Sequence, residues 1–226
     1  LKRCISAGEN LPLSVSDDFH SATGIRLIDG IGATEMIHVF ISASGNDIRP
    51  GSTGKVVPGY VAEIWDDGNK PVADGVAGRL VVKGPTGCRY LNGDQQNNYV
   101  VNGWNVTGDI FKRDKDGYYW FIARGDDIII SAGYNIASPE VEQAIIAHEA
   151  VLECAVIGAP DLDRGMIVKA FIVLNNDFSA SDNLIKEIQT FVKSTVAPYK
   201  YPRAIEFIES LPKSATGKLL RKDLKS

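Results

Sequence analysis

The stretch PKSATGKLLRKDL, residues 212–224, places a glycine directly before a lysine, a pairing typical of phosphate chemistry. A Walker A loop has the pattern G-x-x-x-x-G-K-[ST], but here Pro212 occupies the first glycine position and Leu219 follows Lys218. GSTGK at residues 51–55 also lacks the first glycine and the final hydroxyl residue. The chain is therefore not a P-loop protein, and any phosphate chemistry of Lys218 needs another arrangement.

A second stretch with chemical potential is DGIGATE, residues 29–35. It differs from the dinucleotide fingerprint G-x-G-x-x-G because Glu35 stands at the third glycine position. Its two glycines let backbone approach a ligand, Thr34 offers a hydroxyl, and Glu35 offers a hard oxygen ligand for Mg²⁺. Taken alone, a polar turn after the apolar strand predicted at residues 25–28 is the favoured interpretation.

Two further polar positions come before apolar segments. Asp109, in NVTGDIF, has a carboxylate suited to a bidentate pair of hydrogen bonds from a ribose diol, although an ordinary turn aspartate is favoured when it is considered alone. Arg124 is followed by Gly125, Asp126 and Asp127, a run that, taken alone, is typical of a solvated linker with an ion pair.

The composition excludes several function classes. The 226 residues are 44% hydrophobic and carry a net charge of −4, which predicts a packed globular protein and argues against a nucleic-acid surface. The three cysteines lie far apart without C-x-x-C spacing, so we expect a reduced, cytoplasmic protein. No H-E-x-x-H motif is present, and no apolar run reaches the roughly 18 residues of a membrane span.

The periodicities predict two regions. Short strands separated by Gly and Asp turns, including the hairpin signal DKDG, predict a mostly β, barrel-like region from about residue 50. After Arg124, strands alternate with two helices, one predicted to begin with Ser138 as N-cap and the other near Ser181. RGDDI separates the regions, so we predict domains at 1–124 and 125–226, and a fold that mixes α/β with α+β.

The motifs become specific as an ordered series. DGIGATE, GRLVVKGP, NGWNVTGD, ARGDDIIISAGYNI and PKSATGKLLRKDL together resemble the core motifs of the AMP-forming acyl-CoA synthetases, the adenylate-forming superfamily. Four stretches resemble the corresponding sequences of benzoate and 2-aminobenzoate CoA ligases: SAGENLP, DGIGATEMIHVFIS, SAGYNIASPEVE and VIGAPDLDRGMIVKAFIVL. The resemblance covers essentially the whole chain.

The resemblance implies a two-step reaction with ATP, Mg²⁺ and coenzyme A. A carboxylate, aromatic by the subgroup, attacks the α-phosphate to give acyl-AMP, and the coenzyme A thiol then displaces AMP, with the C-terminal domain rotating between the steps. The implied nucleotide-binding residues are Gly8, Glu9, Asp29, Gly30, Ile31, Gly32, Thr34, Asp109, Arg124 and Lys218. Thr34, Glu35 and Lys218 are the implied catalytic residues, with Glu35 as the metal ligand.

The remaining implied sites concern motion, coenzyme A and the acyl group. Asp126 falls at the hinge position, and Ser131, Gly133 and Tyr134 are expected beside the pantetheine thiol. His38 is a candidate for the acyl pocket, and a core histidine on a strand is an equal alternative.

Two features depart from the family pattern. Ile31 occupies a position where the family usually has an aromatic residue that stacks on adenine. The family's phosphate loop and half of its acyl pocket would lie before residue 1, so we expect this chain to be the C-terminal part of a longer protein. Its expected partner is the preceding part of the same protein. The chain is not expected to need activity by itself. The alternatives are an adenylation domain that loads a carrier protein, and a non-catalytic assembly module.

Overall fold

The computed structural model describes residues 1–91, 94–215 and 217–224. The chain divides into two compact units, Leu1–Gly125 and Asp126–Ser226, one residue after the predicted boundary. Thr216 of the PKSATGKLLRKDL motif lies outside the described residues.

The first unit contains a four-stranded and a five-stranded sheet. Its elements are β1 (Cys4–Ala7), α1 (Leu13–Thr23), β2 (Leu27–Gly32), β3 (Val39–Ser42), β4 (Lys55–Val56), β5 (Val61–Trp65), β6 (Ala77–Lys83), α2 (Asp94–Tyr99), β7 (Val100–Val101), β8 (Trp104–Arg113) and β9 (Tyr119–Arg124). The first sheet has the order β1-β2-β3-β4, with β1 and β2 parallel. In the second, β5, β6 and β8 are neighbours, and β7 and β9 both pair with β8.

The strand β2 corrects the prediction for DGIGATE. The strand does not end at Ile28 but continues through Gly32, because Gly30 and Ile31 pair with Ser42 and Ile41 of β3. A Cβ at Gly30 would lie 2.9 Å from Val39 Cγ1, and one at Gly32 would lie 2.7 Å from the His38 carbonyl oxygen. Glycine at these two positions therefore leaves room for the chain at His38 and Val39, where it enters β3. The helix α1 was not predicted.

The predicted hairpin DKDG is confirmed between β8 and β9. Asp114 accepts backbone hydrogen bonds from Asp116 and Tyr118, and Gly117 has a φ of 83°, which closes the turn at low steric cost. The second sheet curls into a half-barrel, in agreement with the predicted barrel-like region. Its inner side chains and those of the first sheet share one buried cluster, formed by Met36, Phe40, Ile41, Ala62, Ile64, Leu80, Val82, Phe111 and Tyr119.

The second unit is an α+β structure, as predicted. Its elements are β10 (Ile128–Ser131), β11 (Tyr134–Ala137), α3 (Ser138–Ile146), β12 (Val151–Asp161), β13 (Gly165–Leu174), α4 (Asp182–Thr195) and β14 (Ala204–Phe207). β10 and β11 form a hairpin, while β12, β13 and β14 form a sheet in which β13 and β14 are parallel. The apolar face of α4, Leu184, Ile188 and Val192, packs into the core of this unit.

The two predicted helix starts have different outcomes. Ser181 caps α4, since its side chain accepts a hydrogen bond from the Leu184 N–H. The prediction of Ser138 as the N-cap of α3 is wrong, because Ala137 occupies that position. Ser138 is fully buried, and its hydroxyl donates instead to the carbonyl oxygen of Asp127 at 2.8 Å.

In the described part of the chain, no helix has the length and apolarity needed to cross a membrane.

Candidate functional site

The carboxyl ends of β1 and β2 meet at one edge of the first sheet. The two strands are parallel, and Ala7 is opposite Gly30. Gly8 and Glu9 therefore follow β1 at the level where Ile31 and Gly32 continue β2. Ligands of α/β sheets bind outside the carboxyl ends of parallel strands, so this edge is a candidate site for a nucleotide. The sequence alone did not show that the SAGE and DGIG stretches are neighbours.

The Thr34–Met36 segment forms a 3-10 turn immediately after β2. Met36 is fully buried and anchors the turn, while Thr34 is exposed and Glu35 is half-buried. The hydroxyl of Tyr90 donates to Glu35 Oε1. This hydrogen bond, together with burial and the Glu35 charge, raises the pKa of Tyr90 to about 12. Tyr90 was missed from the sequence because it lies 55 residues from Glu35 and belongs to no stretch that was assigned chemistry.

Ile37 and His38 follow this turn. Ile37 is 71% exposed and has a φ of 67°, a left-handed conformation that β-branched residues rarely adopt. His38 is exposed and precedes β3, so the alternative of a core histidine on a strand is wrong. Its place in the acyl pocket stays a prediction.

Asp29 faces the interior of the first unit. Its carboxylate accepts hydrogen bonds from the Thr53 side chain and the Gly30 N–H, in a small cavity whose lining includes Leu11 and Ser16. Burial raises the pKa of Asp29 to about 6, and the two hydrogen bonds only partly oppose this effect. The cavity contacts give Asp29 a structural role beside the nucleotide role that was predicted for it.

Asp109 and Arg124 form a pair across β8 and β9. They are register partners, and Arg124 Nη1 lies 3.4 Å from Asp109 Oδ1. The Asp109 side chain is 11% exposed and that of Arg124 is 46% exposed. The interpretation of Asp109 as an ordinary turn residue is therefore wrong. Gly108 has a φ of 81°, and a Cβ there would lie 3.3 Å from Arg124 Nη2, so glycine leaves room for the guanidinium.

The turn between β10 and β11 carries the residues predicted for coenzyme A. Ala132 and Gly133 have φ values of 49° and 82°, which makes a tight left-handed turn. Ser131 is buried, and its hydroxyl oxygen lies 3.4 Å from Arg164 Nε. Tyr134 is 51% exposed and stacks on Tyr199, with ring centroids 4.4 Å apart. The turn thus presents an exposed aromatic ring supported by a second one.

Lys218 is exposed next to a short turn of the second unit. The Ser214 N–H donates to the Lys218 carbonyl oxygen at 2.8 Å, and the Lys218 N–H donates to Ser214 Oγ at 3.1 Å. Gly217 has a φ of 83°, which only a glycine adopts at low cost. Asp126 is the first residue of the same unit and lies in a 3-10 turn, Gly125–Asp127. Thr34, Glu35, Asp109 and Arg124 belong to the first unit.

Within the described residues, no group of three or more His, Cys, Asp and Glu side chains is suited to hold a metal ion. Mg²⁺ in nucleotide enzymes is commonly held by one or two carboxylates together with substrate phosphates. A single half-buried carboxylate, oriented by Tyr90, fits the protein's share of such a site. The assignment of Glu35 as the Mg²⁺ ligand stays a prediction.

Comparison with known proteins identifies the class. Residues 1–90 match the family model of AMP-binding enzymes, and residues 140–218 match that of the AMP-binding enzyme C-terminal domain. The chain belongs to the family of AMP-binding enzymes, which confirms the resemblance found in the sequence.

Individual relatives agree along the full chain. It is 43% identical to the benzoate–CoA ligase of Thauera aromatica and to the mitochondrial acyl-coenzyme A synthetase ACSM3 of Rattus norvegicus, covering 100% of this chain and 44% and 40% of theirs. The solved anthranilate CoA ligase AuaEII, in complex with anthranoyl-AMP, superposes with a TM-score of 0.91 at 42% identity, over 99% of this chain and 43% of that one. The chain thus spans less than half the length of these relatives.

Proposed function

We propose that the chain is the C-terminal part of an ATP-dependent, AMP-forming acid–thiol ligase that converts an aromatic carboxylic acid into its coenzyme A thioester. The observation that carries this proposal is the 42% identity, over 99% of the chain, to a ligase whose structure contains an acyl-adenylate. The buried Asp109 paired with Arg124 and the exposed Lys218 turn supply groups that such an intermediate requires.

In the first step, a carboxylate oxygen of the acid bonds to the α-phosphorus of ATP, and the bond from that phosphorus to the bridging oxygen breaks to release pyrophosphate. We assign the nucleotide to the edge formed by Gly8, Glu9 and the β2 stretch 29–32. Asp109 accepts hydrogen bonds from the ribose hydroxyls, because its carboxylate is an acceptor and its side chain is the more buried of the pair. Arg124, more exposed, contacts ribose and phosphate, and Thr34 donates to a phosphate oxygen.

Mg²⁺, held by Glu35, would neutralise charge on the phosphate oxygens when it is bound. Tyr90 orients the Glu35 carboxylate by donating to Oε1. Because the carboxylate is planar, this contact also sets the direction of the other oxygen, Oε2. Lys218 bridges the carboxylate and an α-phosphate oxygen. A preorganised cation stabilises the charge that develops in the transition state.

In the second step, the coenzyme A sulfur bonds to the acyl carbon, the bond from that carbon to the AMP oxygen breaks, and the thiol proton leaves to solvent. We assign Ser131, Gly133 and Tyr134 to the pantetheine, because Gly133 leaves space and Tyr134 offers an exposed ring. Asp126 is the pivot that exchanges Lys218 for this turn between the two steps.

The acyl group is the finer part of the proposal. His38 and the strained Ile37 are exposed directly after the catalytic turn, where an acyl group attached to the nucleotide would lie. We favour an aromatic acid because benzoate and anthranilate ligases are among the relatives, and an aliphatic acid serves as the comparison substrate in the test. Since mitochondrial relatives occur beside bacterial ones, the cytoplasmic location stays a prediction.

The test uses the complete protein, with the part that precedes residue 1 restored. Pyrophosphate exchange is measured with benzoate, 2-aminobenzoate and hexanoate, and thioester formation is measured with free coenzyme A and with a phosphopantetheinyl carrier protein. We expect exchange with an aromatic acid and turnover of free coenzyme A. Turnover of the carrier alone supports a carrier-loading adenylation domain, and no exchange with any acid overturns the enzymatic proposal.

A further inference from the structure

A buried ion cluster lies in the second unit, outside the residues assigned above. The Arg221 guanidinium contacts both oxygens of Glu142 at 2.8 and 2.9 Å through Nη2, and its Nη1 lies 3.4 Å from Asp127 Oδ2. The Arg221, Glu142 and Asp127 side chains are only 19%, 13% and 9% exposed. Glu142 Oε1 also accepts the Val156 N–H at 2.8 Å. The cluster is therefore built into the core of this unit.

The cluster joins three places that are distant in sequence. Arg221 lies three residues after Lys218, Glu142 lies in α3, and Asp127 directly follows Asp126. The Asp127 backbone is held as well, because its carbonyl oxygen accepts the Ser138 hydroxyl. One guanidinium thus connects the segment that carries Lys218 to the residue that follows the proposed pivot.

The other end of the Lys218 segment is also fixed. Leu211 is buried against Ala155, Ile157 and Phe171 of the central sheet. Lys213 Nζ lies 2.7 Å from both carboxylate oxygens of Glu153. The Leu220 N–H donates to the Pro212 carbonyl oxygen at 2.9 Å, which closes the base of the segment. Lys218 therefore lies in a short loop that is held at both ends.

The two anchors differ in kind. The Lys213–Glu153 pair is about 40% exposed on both sides, and surface pairs of this type contribute little to stability. Arg221 is mostly buried, and its planar guanidinium donates hydrogen bonds in fixed directions. Its main contribution is therefore to set the relative positions of the groups that it joins. Desolvation of the two charges offsets much of the attraction in a buried ion pair, so such a pair adds little net stability.

We propose that Arg221 is a positioning residue for Lys218. Arg221 holds the end of the segment 213–221, which carries Lys218, to Asp127 and Glu142. This segment and Asp127, the residue next to the proposed pivot, therefore move as one rigid body. This inference rests on the proposed function, since it concerns the delivery of Lys218 in the adenylation step. Arg221 itself touches no reacting atom in this scheme. A displaced Lys218 would slow acyl-AMP formation, because errors of about 1 Å in a catalytic group cost up to about 10²-fold in rate.

The activity test compares Arg221→Met and Arg221→Lys in the complete protein. Lys169→Met is the matched control, because it also removes one cation from the second unit, at the more exposed pair with Glu206. We expect both Arg221 variants to slow pyrophosphate exchange by about tenfold or more, and thioester formation from supplied acyl-AMP to stay within about threefold of the wild type. The control should change neither rate. An equal loss in both half-reactions, with a lowered Tm, would mean that Arg221 has only a structural role and would overturn the proposal.

A second measurement needs no enzymatic activity. Amide hydrogen exchange is followed at Lys218 and Leu220 in the 226-residue chain, for Arg221→Met, Glu142→Gln and Lys169→Met. We expect at least about tenfold faster exchange at these amides in the first two variants and no change in the third. Unchanged exchange in Arg221→Met and Glu142→Gln would overturn the proposal. If the complete wild-type protein shows no exchange of pyrophosphate, the proposed function fails, while this result still decides whether Arg221 holds the segment.

Discussion

Replacing Asp29 by Asn should stabilise the first unit at neutral pH and remove part of its pH dependence. Burial raises the pKa of Asp29 from 3.8 to about 6 in the folded chain. Between these values, the folded state holds a proton that the unfolded state has released. The free energy of unfolding therefore falls as the pH rises from about 4 to about 6, and it stays constant above that range as far as Asp29 is concerned.

The magnitude follows from the shift. About two pKa units at 1.36 kcal/mol each give a ceiling of about 3 kcal/mol. Asp29 is only half-buried, so solvent screening reduces the expected effect to about 1–2 kcal/mol. Asn keeps the acceptor oxygen for Thr53 and carries no charge, so the variant should be more stable than the wild type by this amount at pH 7.5 and about equal to it at pH 4.

Urea unfolding followed by tryptophan fluorescence provides the assay. Trp65, Trp104 and Trp120 all lie in the first unit, so the signal reports that unit alone. Asp67→Asn, at an exposed position, is the control for the loss of one negative charge. If Asp29→Asn is destabilised at pH 7.5, or if its advantage is the same at pH 4 and pH 7.5, burial of the charged carboxylate is not the cause and the reasoning is refuted.

Three further predictions concern the proposed reaction and the hydrophobic core of the second unit. Lys218→Ala in the complete protein should slow acyl-AMP formation by about 10² to 10³, a loss of roughly 3–4 kcal/mol, and leave thioester formation from acyl-AMP nearly normal; equal losses in both half-reactions would contradict the assignment. Asp126→Pro fixes φ near −65° and should spare one half-reaction while the other fails, so wild-type rates in both would exclude Asp126 as the pivot. Ile188→Ala, at a fully buried position of α4, should lower the stability of the second unit by about 2–5 kcal/mol, measured by hydrogen exchange of β12 and β13; a loss below about 1 kcal/mol would show that the site collapses around the smaller side chain.

Several elements were predictable because their signals are local. The β8–β9 hairpin follows from DKDG, in which Asp114 bonds the backbone of its own turn. The start of α4 follows from Ser181, whose hydroxyl reaches an amide three residues away. The ordered motifs identified the family, since five short patterns in sequence need no knowledge of which strands are neighbours. These interactions all span a few residues, so residue type and spacing determine them.

Other features depend on contacts that spacing does not reveal. Serine is a residue type preferred at a helix N-cap, but in the folded chain the Ser138 hydroxyl donates to the Asp127 carbonyl oxygen. β2 extends through DGIG because these residues pair with β3, although their local sequence predicts a turn. Tyr90 reaches Glu35 across 55 residues, and Arg221 reaches Glu142 across 79. The sequence by itself determined the chemical groups and their family, whereas tertiary packing decided their partners, because pairing depends on which side chains the folded core brings within hydrogen-bonding distance.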